Sequence, residues 1–184
     1  MNTTRVSALS ASAVTAVAVV YALACAASGW DPSLGWLLQA AIHLGELAAV
    51  AALAWSGAVG GSRPGRAGLA LAVAGQLLMA AAEVVYPHAH NLGDALFSVA
   101  PLLTGAGLIT AGIVIRRRRR SSWLPLVLGL YTVIVLIPVM IGSGGPPSSA
   151  ALTTIAGWDV LWLSLAASVL SPAPRPRPAK VTVE

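Results

Sequence analysis

Gln39, His43 and Glu46 stand at i, i+4 and i+7 within an apolar run from Leu34 to Ser56. On a 3.6-residue helix those three side chains share one face. An imidazole three residues from a carboxylate can pass a proton, serve as a general acid and base, or supply half of a metal site. Further along, Gln76 and Glu83 are seven apart and also share a helix face, and Asp159 and Thr104 stand alone in apolar surroundings. Inside a bilayer such groups are costly, at roughly 2.5 to 3.5 kcal/mol for a central Asp, so each marks either function or hydrogen bonding between helices.

The elements that must position these residues are membrane spans. The chain is 57% hydrophobic and only 9% charged, with a mean hydropathy of +0.82. Soluble domains carry about 25% charged residues, so the composition points to an all-α polytopic membrane protein. Six spans are predicted, at about residues 7–28, 34–56, 68–86, 94–115, 123–141 and 149–170. Each is long enough for a ~30 Å hydrocarbon core at ~1.5 Å per residue. Residues 1–170 thus form one six-helix transmembrane domain, and 171–184, with prolines at 172, 174, 176 and 178, read as an extended basic tail.

Charge placement supports that count. With six spans and a cytoplasmic N-terminus, Arg5, Arg63, Arg66, Arg116 to Arg120, Arg175, Arg177 and Lys180 all fall on the cytoplasmic side, which accounts for all 11 basic residues. The outer loops keep only Asp31 and Asp94 as charges. This is the split of the positive-inside rule, in a multi-pass protein of the cell membrane with both termini inside. The five-arginine run reads as a stop-transfer anchor in contact with membrane lipid, with no soluble domain to bind nucleic acid. The apolar run after Arg5 is longer than a signal-peptide core, which favours a true first span. The single cysteine, Cys25, excludes an intrachain disulfide.

Packing signals lie in the small residues. Gly105 and Gly112, and Gly107 and Ala111, are pairs that let helix backbones approach closely. Pro101 and Pro138 fall inside spans, where each frees a carbonyl and bends its helix. Trp36 and Trp55, ~28 Å apart along the second span, suit anchors at the two interfaces.

Depth then orders the polar groups. Counted at ~1.5 Å per residue from the outer end of each span, Gln39 and Glu83 lie ~5 Å deep, His43 ~10 Å, and Glu46, Gln76 and Asp159 ~15 Å. The inner halves offer only hydroxyls, among them Tyr131, Thr132, Ser164 and Ser168. A continuous ion path needs polar groups on both sides of its gate, so this asymmetry favours a pocket that opens outward. Gln39, His43 and Glu46 form one wall, Gln76 and Glu83 a second, and Asp159 the floor. The alternative is hydrogen bonding between helices, a weak return for two midplane carboxylates at well under ~1 kcal/mol per bond. His88, His90, Glu83 and Asp94 cluster at one outer turn, but two exposed loop histidines are ordinarily just solvated. No metal site or cofactor is expected, and no zincin, hydrolase or Walker motif occurs.

Over all six spans the chain resembles small six-span integral membrane proteins of actinobacterial type, most recognisably at Trp123-Leu124-Pro125 and Gly157-Trp158. It is also loosely similar to the membrane-bound terpene cyclases, compact helical bundles that use a buried Glu early and a buried Asp late as acid catalysts. That similarity implies catalytic roles for Glu46 and Asp159. The segment Ile42-His43-Leu44-Gly45-Glu46 differs from the family motif, and this chain has one span fewer. Three functions follow as expectations: binding of a small or lipid-like ligand in the outward pocket, intramembrane acid catalysis on an apolar, isoprenoid-like substrate, or cation- or proton-coupled transport.

Overall fold

The computed structural model describes residues 3–29, 32–118 and 122–170. No strand occurs among them, and six helices are long and apolar enough to cross a membrane. These are α1 (Thr3–Ser28), α2 (Gly35–Trp55), α3 (Arg63–Val85), α4 (His90–Arg117), α5 (Leu124–Ser143) and α6 (Ser149–Leu170). Trp30 and Asp31 of the first turn, Arg119 and Arg120 of the arginine run, and the tail from Ser171 to Glu184 lie outside the described residues.

α1 and α4 begin about one turn before the expected residues 7 and 94, at Thr3 and His90, and two other helix ends differ for identifiable local reasons. α3 begins at Arg63 instead of Gly68 because Ser62 caps it, its Oγ accepting the Gly65 N–H at 3.3 Å, with Pro64 in the first turn. α5 continues to Ser143 and stops where Gly144 turns left-handed at φ +74°. The two intrahelical prolines also part ways. α4 runs unbroken past Pro101, whereas α5 widens into a π turn over Thr132–Leu136 just before Pro138. There the Ile137 N–H reaches back to the Thr132 carbonyl, five residues away, beside a residue that has no N–H to offer.

The helices close into a ring. α1 packs on α2 and α6, α3 lies between α2 and α4, and α5 lies between α4 and α6. The inward faces are small: Ala8, Ala11 and Ala18 of α1, Ala49 and Ala52 of α2, and Ala72 of α3 are each fully buried. Large side chains divide between the two faces: Leu108, Leu128, Trp162 and Leu165 are buried in the core, whereas Val20, Leu44, Leu77 and Ile134 are exposed on the rim. Lipid is as apolar as leucine, so close packing and not the removal of apolar surface from water holds such a bundle.

The fourth helix carries both small-residue pairs on different faces. Gly107 meets α3, where an added Cβ would lie 2.5 Å from the Gly68 carbonyl and 2.6 Å from the Ala72 nitrogen. Gly112 meets α5, where a Cβ would lie 2.6 Å from the Leu126 nitrogen. The buried hydroxyls of Thr15 and Thr132 are satisfied within their own helices, each donating to the carbonyl four residues back at 2.8 Å.

Candidate functional site

α2, α3, α4 and α6 each bury polar residues in the bundle interior. His43 and Glu46 are one helical turn apart, and Nδ1 of the imidazole lies 2.8 Å from Oε2 of Glu46. When Glu46 is ionised, the Nδ1–H is the donor of that bond. The other ring nitrogen, Nε2, lies 3.7 Å from Oε1 of Glu83 on α3. Side-chain exposure falls inward along this series, from 18% at Glu83 to 6% at His43 and 0% at Glu46. Asp159, on α6, is within electrostatic reach of both Glu46 and His43. The sequence placed these four groups on three separate helices, and the fold gathers them.

Several buried polar atoms on these four helices have no hydrogen-bond partner among the described residues. Oε1 of Glu46, both Oε1 and Nε2 of Gln76, Oγ1 of Thr104, Oδ1 of Asp159 and Nε1 of Trp162 are all buried without a hydrogen-bond partner. The residues that carry them are between 0% and 2% exposed. Gly75 brings α3 and α4 together here: a Cβ at that position would collide with Thr104 Oγ1 and lie 2.7 Å from the Thr104 nitrogen. Each orphaned group carries a desolvation cost of ~1 to 3 kcal/mol, and native interiors hold few of them.

A third layer supports the imidazole from the far side. The Trp158 ring stands edge-on to His43, with centroids 6.2 Å apart, and edge-on to Trp162 at 5.7 Å. The Trp158 Nε1–H donates to Oγ1 of Thr132 at 2.9 Å, and that hydroxyl in turn donates to the Leu128 carbonyl at 2.8 Å. The acceptor Thr132 is the first residue of the π turn. Beside it, the Tyr131 hydroxyl donates to the Thr154 carbonyl at 3.0 Å, in space left free by Gly157.

The residues singled out in sequence divide as follows. His43, Glu46, Gln76 and Asp159 are buried and share the interior, and Glu83 joins them from the edge through His43. Gln39 is half-buried, one turn from His43, and no hydrogen bond joins it to the cluster among the described residues. The expected cleft is closed in this structure, since His43 is 5% exposed and Glu46 not at all. A depression of about 440 Å³ at the start of α4, lined by Ala89, His90, Asn91 and Leu92, stays clear of the cluster. Nearby, Trp36 packs edge-on to His88 and Tyr86 edge-on to His90. Among the described residues, no three of His, Cys, Asp and Glu come together in a way that holds a metal ion.

Trp158, Trp162 and Thr132 were not legible as parts of the site. The signal for the two tryptophans was present: they are one turn apart in the middle of a span, where an indole N–H needs a partner, and not at an interface. No family model, curated protein or solved structure matches this chain.

Proposed function

We propose that this is a multi-pass protein of the cell membrane, its arginine-rich end cytoplasmic, whose mid-bundle polar cluster binds the polar end of a small or lipid-like ligand. One observation carries the reading: α2, α3, α4 and α6 each bury polar atoms without hydrogen-bond partners, both ends of the Gln76 amide included. A group that both donates and accepts, such as a hydroxyl or an amide, suits the Gln76 amide, the free oxygen of Glu46 or that of Asp159. The cost of leaving these groups unmet is offset when such a group is bound. Glu83, the most exposed of the set, marks the entrance between α2 and α3, and Gln39 lies on the same side. Entry requires the outer ends of those helices to part, because the cluster is closed without a guest.

A second reading is favoured by the proximity of Asp159 to the His43–Glu46 pair. In it Glu46 or Asp159 acts as general acid on an apolar, isoprenoid-like substrate, and His43 holds the proton balance of the site. Both readings use the same residues, and one experiment separates them. The protein is purified with its native lipids, and bound species from wild type and Glu46→Gln are identified by mass spectrometry. An unmodified ligand lost in the variant supports binding. A species that wild type converts, and that Glu46→Gln retains unconverted, supports catalysis. If wild type and variant both come out empty, the ligand reading fails.

A further inference from the structure

At the other end of the bundle, Pro64, Thr110, Ile113 and Val114 line a depression of about 390 Å³ that Arg117 and Arg118 close. Its volume is at the lower end of the ~300 to 1,000 Å³ of small-molecule sites. The lining changes character along its length. Thr110, Ile113 and Val114 belong to the span, and Ile113 is 39% exposed on the face of the bundle that meets lipid. The two arginines sit one turn further on, where the span ends.

The arginines are arranged, not merely present. Arg116 lies over the Trp123 ring, with its guanidinium carbon 3.2 Å from the centroid, and does not line the depression. Arg118 lies instead against Gly60, at φ +55°, where any Cβ would collide with its guanidinium. Among the described residues no ion pair involves an arginine, and no carboxylate lies at this end of the bundle. Glu46 and Asp159 are mid-bundle, and Glu83 and Asp94 are at the opposite end. Arg117 and Arg118 thus have no carboxylate partner among the described residues, and an anionic ligand can supply one.

We propose that this depression binds one acidic phospholipid, its phosphate held between Arg117 and Arg118 and the start of one acyl chain laid along Thr110 and Ile113. Guanidinium groups suit phosphate oxygens through paired N–H donors, and an apolar floor continuous with the bilayer suits a chain and not a free anion. The site is separate from the mid-bundle cluster, so either assignment can fail alone.

Native mass spectrometry of the full-length protein, released from micelles of mixed phosphatidylglycerol and phosphatidylcholine, tests it. Wild type is expected to retain one phosphatidylglycerol, preferred over phosphatidylcholine by about tenfold or more. Arg117→Gln with Arg118→Gln removes that preference. Ile113→Trp, which fills the floor and leaves every charge, lowers retention roughly as far. Arg63→Gln with Arg66→Gln removes the same charge from exposed positions off the depression and leaves retention within about twofold. Three results would overturn the proposal: equal losses in the two double variants, full retention in Ile113→Trp, or displacement of the lipid by ~10 mM inorganic phosphate. The first two would mean that only diffuse basic charge is at work, and the third that the site takes a free anion.

Discussion

Glu83 on α3 reaches the Nε2 edge of His43 on α2, 3.7 Å away, while Glu46 takes the opposite edge of the same ring at 2.8 Å. His43 is therefore held between two carboxylates of very different exposure, and the two contacts should not be equal in energy. Removing one partner of a buried charge pair costs ~3 to 5 kcal/mol, whereas partly exposed pairs are worth ~1 kcal/mol or less. Glu46→Ala is expected to lower unfolding stability in detergent by about 3 kcal/mol, and Glu83→Ala by about 1 kcal/mol or less. Thermal melts of the two variants decide this. If Glu83→Ala is the more damaging, the interior pair is not what fixes the imidazole.

Close approach between α3 and α4 at Gly75 predicts a sign difference between two glycine substitutions. In Gly75→Ala the new methyl meets Thr104 Oγ1 and lies 2.8 Å from the Ala100 carbonyl, so the helices must move apart. Overpacking of this kind costs ~1 to 3 kcal/mol. Gly142, near the end of α5, has no atom within 4 Å of its Cβ position. There an alanine gains helix propensity, and Gly142→Ala is expected to raise stability by about 0.5 to 1 kcal/mol. A loss in both variants would show that glycine matters in this bundle for backbone freedom and not for contact.

How much of this was legible in sequence follows from what each signal measures. Span positions were legible because hydropathy and helix length are properties of one segment, and α6 begins at Ser149 and ends at Leu170 as the run predicts. The partners of Gly107 and Gly112 were half legible. Spacing shows that each can approach a backbone, but not that one faces α3 and the other α5. The contact of Glu83 with His43 depends on the rotation of α3, which hydropathy leaves free. The closure of the cleft was also beyond sequence. It depends on how the helices pack around His43, which Glu46, Glu83 and Trp158 cover in the fold. The Trp158–Thr132 bond needed the π turn, whose phase change near Pro138 no 3.6-residue template contains.

Topology gives a direct check on the proposed orientation. Cys25 is the only cysteine and is 5% exposed, so Cys25→Ala provides a quiet background for single cysteines. In that background Asn91→Cys is expected to react with a membrane-impermeant maleimide on intact cells. Arg63→Cys, at the other end of α3, is expected to react only after permeabilisation, as the positive-inside rule requires. The reverse pattern would invert every assignment of inner and outer ends.

The hydrogen bond from Trp158 to Thr132 ties α6 to the π turn of α5 and backs the ring of His43, so its loss should be felt at both places. Trp158→Phe keeps most of the ring and removes the donor, while Thr132 retains its own bond to the Leu128 carbonyl. That change is expected to cost about 1 kcal/mol. Thr132→Val keeps the shape but leaves an indole N–H buried and unmet, in a residue that is 2% exposed, at ~1 to 3 kcal/mol. The double variant removes donor and acceptor together and is expected to cost less than the two single changes combined, with a coupling of ~0.5 kcal/mol or more. Trp162→Phe serves as the contrast, because its Nε1 has no partner and no such coupling to Thr132 should appear. Strict additivity of Trp158→Phe and Thr132→Val in thermal or denaturant unfolding would remove the bond as the link between α5 and α6.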